Sequence, residues 1–176
     1  MHSSWHRVLV IPILLVAALT PALRAQAAGA PSVKIAVFDF ELEDVSAAGA
    51  ASMGDAAGDS TRMHAVTEEA RRVLAQSGRF SIVDTNGVDA QPVKDLALRN
   101  CDGCDAAIAL KLGAERSLIG VVTRVAKTEY YVSLRFTDTG TGKVIDEQSA
   151  FFTGADDAWA SGVRMLLKHG VLADEK

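Results

Sequence analysis

Cys101 and Cys104 are the two cysteines of this 176-residue chain, three positions apart at the head of an apolar segment. That spacing suits a redox dithiol, and a helix N-terminus behind it lowers a thiol's pKa and makes it a better nucleophile or leaving group. Asp102 and Asp105 oppose the effect, because negative charge raises a thiol's pKa. A thioredoxin-like pair also follows a strand directly, whereas a polar helical segment precedes this one. A structural disulfide, closing a short ring and pinning the helix start, meets both objections. Zinc would need two more ligands. Beyond residue 27 only His64 and His169 are at hand, in different segments.

A second group is acidic. Asp39, Glu41, Glu43, Asp44, Asp55 and Asp59 follow one another closely. Ligands in open α/β sheets gather at the carboxyl ends of strands, and oxygen-rich loops hold calcium. The spacing does not match an EF-hand loop, whose glycine position is missing. Two readings stand: a ligand or cation loop on Asp39, Glu41, Glu43 and Asp44, or a solvated acidic loop. Asp39 lies within an apolar run and, if buried, needs a hydrogen-bond partner. No nucleophile elbow, P-loop or dinucleotide fingerprint is present. Asp156 and Asp157 read as acids at a helix's positive end. Trp159 reads as core, with a partner anchor as the alternative. The sequence therefore predicts no catalytic residue, no metal site and no cofactor.

The segment that must position the acids is 33–40, apolar on both alternating faces. Ile35 and Val37 point one way; Ala36, Phe38 and Phe40 point the other. Such a strand is central, with cover on both sides. Residues 41–59 carry no helical or strand period and read as a long loop. Asp59 or Ser60 then caps a helix over 62–76, with Met63, Val66, Ala70, Val73 and Leu74 on one face. Gly78 stops it, and 79–84 forms a second strand, parallel to the first because the crossover is long. Residues 92–98 start a short helix behind Pro92. Residues 106–112 form another, burying Ile108 and Leu112. Segments 116–127, 129–138 and 143–152 read as an antiparallel meander, with a tight turn at 139–142. A last helix buries Trp159, Val163, Leu166 and Leu167. The order β-α-β-α-β-β-β-α predicts an α/β (α+β) fold: a mixed sheet of about five strands with the helices packed on it.

Residues 1–27 read as a cleavable secretory signal peptide. Arg7 precedes the apolar run 8–19, and Ala25-Gln26-Ala27 fits the small-x-small rule, with cleavage before Ala28. The run falls short of the about 20 residues that span a bilayer. Residues 28–176 are then one globular domain in the periplasm, where disulfides persist. Residues 1–27 hold two of the 18 basic residues and none of the 22 acidic ones, so the domain is more acidic than the net −4 of the whole chain. A dispersed acidic surface argues against nucleic acid and anionic lipid as partners.

Three stretches together resemble a known family. They are Lys34-Ile35-Ala36-Val37-Phe38-Asp39-Phe40-Glu41 with Ser77-Gly78-Arg79-Phe80-Ser81-Ile82-Val83-Asp84; Cys101-x-x-Cys104 with Lys111-Leu112-Gly113-Ala114 and a strand holding Gly120; and Gly154-x-x-Asp157-x-Trp159 with Gly162 and Leu166-Leu167. They resemble short secreted bacterial proteins grouped as a domain of unknown function (DUF3280, also numbered DUF2380). The resemblance implies export and a shared fold, and no established activity. The longer Ala/Gly-rich stretch 47–58 departs from the pattern. More loosely, the first strand, the helix and Gly78-Arg79-Phe80 look similar to the periplasmic domains of CsgG, LpoB and the TolB N-terminal region, which implies an assembly or interaction module.

These readings converge on a secreted, non-enzymatic binding or accessory module for another envelope protein, acting through a sheet edge or the acidic loop. The alternative is a thiol–disulfide exchanger using Cys101 and Cys104. No stable membrane insertion is expected after cleavage, and the sequence leaves the oligomeric state open.

Overall fold

The computed structural model describes residues 31–51, 56–86, 97–101 and 103–173. The expected signal peptide, Asp55, Asp102 and the helix start expected at Pro92 lie outside the described residues. Strands β1 (Val33–Val37), β2 (Glu41–Asp44), β3 (Phe80–Val83), β4 (Arg116–Ala126), β5 (Glu129–Asp138) and β6 (Val144–Thr153) form one mixed sheet. Its order is β3-β1-β4-β5-β6, with β2 paired to β4 beyond β1. β1 is central and parallel to β3 and β4, while β4, β5 and β6 make the antiparallel meander.

The helices are α1 (Ala47–Ala50), α2 (Ala56–Gln76), α3 (Cys104–Lys111) and α4 (Trp159–Leu166), the last running into a π-helical turn at Leu167–Val171. α2 and α4 cover one face. There Ile35 and Val37 meet Met63, Val66, Ala70, Val73 and Leu74 of α2, the inward residues of β4 and β5, and Trp159 and Val163 of α4. Burying each large apolar side chain in this cluster stabilises the fold by about 1.5–3 kcal/mol. The other face has a smaller core, where Ala36, Phe38 and Ile119 meet Leu98 and Ala109. α3 buries Ala106 and Ala109. Ile108 and Leu112, predicted as buried, are only half-covered, because Asp105, Ala106 and Ala109 form the inward face and Leu112 lies past the last helical residue.

Residues 41–44, 47–50 and 56–59, read as loop, form regular structure. Glu41–Asp44 pairs parallel with β4 and supplies a sixth strand. Ser46 then caps α1, its hydroxyl accepting from the Gly49 amide at 3.1 Å. Alanine-rich sequence favours helix even without an amphipathic period, and α2 accordingly starts at Ala56. Between β1 and β2 the chain bulges. Val37 opposes Leu118 and Glu41 opposes Val121, so three residues face two. An extra residue of this kind reverses the alternation. Phe40 is therefore on the face of Ile35 and Val37, not with Ala36 and Phe38 as the uninterrupted period predicts. Its ring lies directly over Gly120, where a Cβ would collide with it.

Candidate functional site

The densest polar cluster among the described residues surrounds Arg124. Alternation along β4 points it inward, on the face of Leu118 and Val122, and it is 8 % exposed. Three elements bring carboxylates to it. Asp44 closes β2, Asp59 sits in the first turn of α2, and Asp156 precedes α4, at 2.7, 2.5 and 3.1 Å. The guanidinium also lies over the Trp159 ring, 4.8 Å from its centroid, a stabilising cation–π arrangement. Among the described residues its buried Nε finds no hydrogen-bond partner, a cost set against the ion pairs. Burial pushes the Asp44 carboxyl up, but hydrogen bonds from Ser46 and Arg124 outweigh it and hold it below its ordinary value. A carboxyl held ionised in this way is a poor general acid. Arg62 joins from α2, 3.1 Å from Asp59. An open cleft of about 490 Å³ beside the cluster is lined by Ser46, Arg62, Lys127 and Asp156 among others. The carboxylates here already face guanidinium groups, so the arrangement clamps β2, α2, β4 and the start of α4 together.

The four acids predicted as one loop go to separate partners. The Asp39 side chain is 85 % exposed and meets Arg71 at 3.1 Å, so it is not buried. Glu41 accepts from the Leu98 amide at 2.5 Å and from Arg99 at 2.7 Å, which docks the 3-10 turn Leu98–Asn100 onto the sheet. Glu43 accepts from Thr123 at the surface, and Asp44 belongs to the Arg124 cluster. Among the described residues no group of three or more His, Cys, Asp or Glu is placed to hold a metal ion.

Cys101 and Cys104 are joined in a disulfide with Cα atoms 5.6 Å apart. The bridge ties the turn held by Glu41 to the first turn of α3. Gly103 takes the left-handed conformation between them, at φ 78°. The neighbouring Asp105 is buried and accepts from the Ser117 hydroxyl at 2.6 Å. Trp159 is 1 % exposed, packed between Tyr130 and Arg124, and offers no surface to a partner.

The remaining feature is the end of the sheet. Among the described residues β6 pairs only with β5. On the face away from α4, Tyr131 and Phe151 stand opposite each other across the two strands, ring centroids 5.1 Å apart, 46 % and 48 % exposed. Val144 and Ile145 are exposed on the same strand. Neither this patch nor Arg124 follows from a functional motif. The signal for Arg124 is a charge at an inward position of an apolar strand. That for the patch is an aromatic residue at the outward position of each of two paired strands.

A mixed sheet with two helices on one face, a short disulfide-tied helix on the other and an open antiparallel end defines an α/β module without a catalytic constellation among its described residues. The chain belongs to the family DUF3280, described as "Protein of unknown function (DUF2380)", whose model matches residues 33–171. No curated protein matches it. Among solved structures it is similar to the LpoB C-terminal domain from Salmonella enterica, at 18% identity and a TM-score of 0.48, over 73% of this chain and 88% of that one. TolB from Acinetobacter baumannii matches at 13% identity and 0.47, over 78% and 27%. Lipoprotein GNA1162 from Neisseria meningitidis matches at 16% identity and 0.47, over 80% and 94%.

Proposed function

We propose that this protein is a periplasmic, non-enzymatic binding module for another envelope protein, and that the partner docks on the open β5–β6 end of the sheet. The carrying observation is the half-exposed Tyr131–Phe151 pair beside an edge strand with no partner among the described residues. Aromatic side chains supply large contact area and are enriched at interfaces. The acidic stretch is the weaker candidate, because Asp39, Glu41 and Asp44 already hold internal partners. Export is supported by the signal-like residues 1–27 and by a disulfide that suits an oxidising compartment. No helix among the described residues is long and apolar enough to cross a membrane.

The test is retention of envelope proteins on the immobilised protein, compared with Tyr131→Ser/Phe151→Ser. The double variant is expected to lose the retained species while staying folded, its melting temperature lowered by only a few degrees through loss of the cross-strand pair. Equal retention by both forms contradicts docking at this patch.

A further inference from the structure

The sheet's two edges differ. β3 is four residues long, too short to template much pairing, whereas β6 has ten. Long edges are normally blunted with Lys, Pro or a bulge. β6 contains no Lys, Arg or Pro, and its one irregularity lies at the Val144 end. From Gln148 to Thr153 it is uncharged. The Gly154 amide donates to the Thr128 carbonyl at 2.9 Å. Antiparallel alternation from that bond aims the backbone groups of even-numbered β6 residues at β5 and those of Glu147, Ser149 and Phe151 outward.

We infer that β6 pairs with β6 of a second copy, antiparallel about a twofold axis through Gln148, joining two six-stranded sheets into one. This rests on the reading of the sheet end as an interaction surface and names what occupies its backbone edge. A twofold normal to the sheet keeps like faces together, so the axis must pass through a residue. At Gln148 it sets Glu147 opposite Ser149 of the second copy and Ile145 opposite Phe151, each reciprocally. Glu147 and Ser149, whose backbone groups point outward, then meet as hydrogen-bonded pairs, the regular ladder ends at the irregularity at Ile145, and each Glu147 stays beside Arg135 of its own β5. Other axes fit less well. An axis at Asp146 or Glu147 sets like charges face to face, which destabilises a pair. At Ser149 it sets Glu147 against Phe151. Axes nearer Thr153 shorten the ladder and leave Ile145 unmatched. The pairing at Gln148 covers exposed Ile145 and Phe151 edges with each other and keeps the outer face of Tyr131 open to a different protein.

The test combines mass with register. Sedimentation of the purified protein over a concentration series is expected to show twice the chain mass. Ser149→Pro removes an outward-facing N–H that β5 does not use, so it is expected to return the monomer with an unchanged circular dichroism spectrum. Gln148→Cys is expected to give a covalent dimer on mild oxidation, and Ala150→Cys, on the same face, is not. A monomer throughout the series, or equal cross-linking at 148 and 150, overturns the pairing. The docking reading is separable. A monomeric protein that retains its envelope partner through Tyr131 and Phe151 sinks the self-pairing alone. A dimer cross-linked at 148 that retains no partner sinks the docking alone.

Discussion

At Arg124 one guanidinium answers three carboxylates, and its removal leaves them facing each other in a half-dry site. Breaking a buried charge pair from one side costs about 3–5 kcal/mol. Arg124→Met is expected to lower the urea midpoint by a matching amount without changing its slope, checked by equilibrium unfolding; a loss under 1 kcal/mol, read on the scale of exposed pairs, contradicts the clamp. Glu69 carries a second link. It accepts from Arg72 and from Arg164, tying α2 to α4. The Arg72 hydrogen bond, working against burial, draws its carboxyl down from 4.5 to about 2. A depressed carboxylate stabilises the fold above its unfolded pKa and loses that contribution as pH falls through the folded one. Wild-type stability is therefore expected to decline between about pH 4.5 and 2, and Glu69→Gln to flatten that decline in acid melts. The roles of Arg124 and Arg164 were not legible from local sequence, because their partners come from elements 32 to 95 residues away.

Among the elements, the ones set by local period were legible. The apolar faces of α2 and α4, the parallel β1–β3 pair and the meander all follow from residue spacing. The β1–β2 bulge was not. The alternation of 33–40 continues smoothly through Phe40, and only pairing with β4 shows that three residues must fit against two. Gly120 is the trace it leaves. Gly120→Ala forces a methyl into the Phe40 ring and is expected to cost about 1–3 kcal/mol by thermal melting. Phe40→Leu in the same chain is expected to recover part of that loss, since the two sites share one space. The four acids do not share one face: a strand sends alternate side chains to opposite sides, and Glu41 and Asp44 leave on different ones. The disulfide adds a clasp to the small core. Its ring is short, so Cys101→Ser/Cys104→Ser is expected to cost about 2 kcal/mol. A structural bridge of this kind is expected to have a reduction potential below about −300 mV, where an oxidoreductase pair sits higher.

At the scale of the molecule, the described residues close one face of the sheet with two helices and the other only in part. Chain length spent on α2 and α4 covers the first face, and α3 covers β1 and part of β4. The outer side of β5 and β6 is left with Tyr131 and Phe151. The most direct test of a docking surface there is a photo-cross-linking side chain placed at Phe151 in living cells, with Met165, exposed on α4, as the comparison site. Docking at the sheet end predicts a discrete adduct with another envelope protein from position 151 and none from 165. Adducts of equal yield from both positions, or from neither, would contradict it.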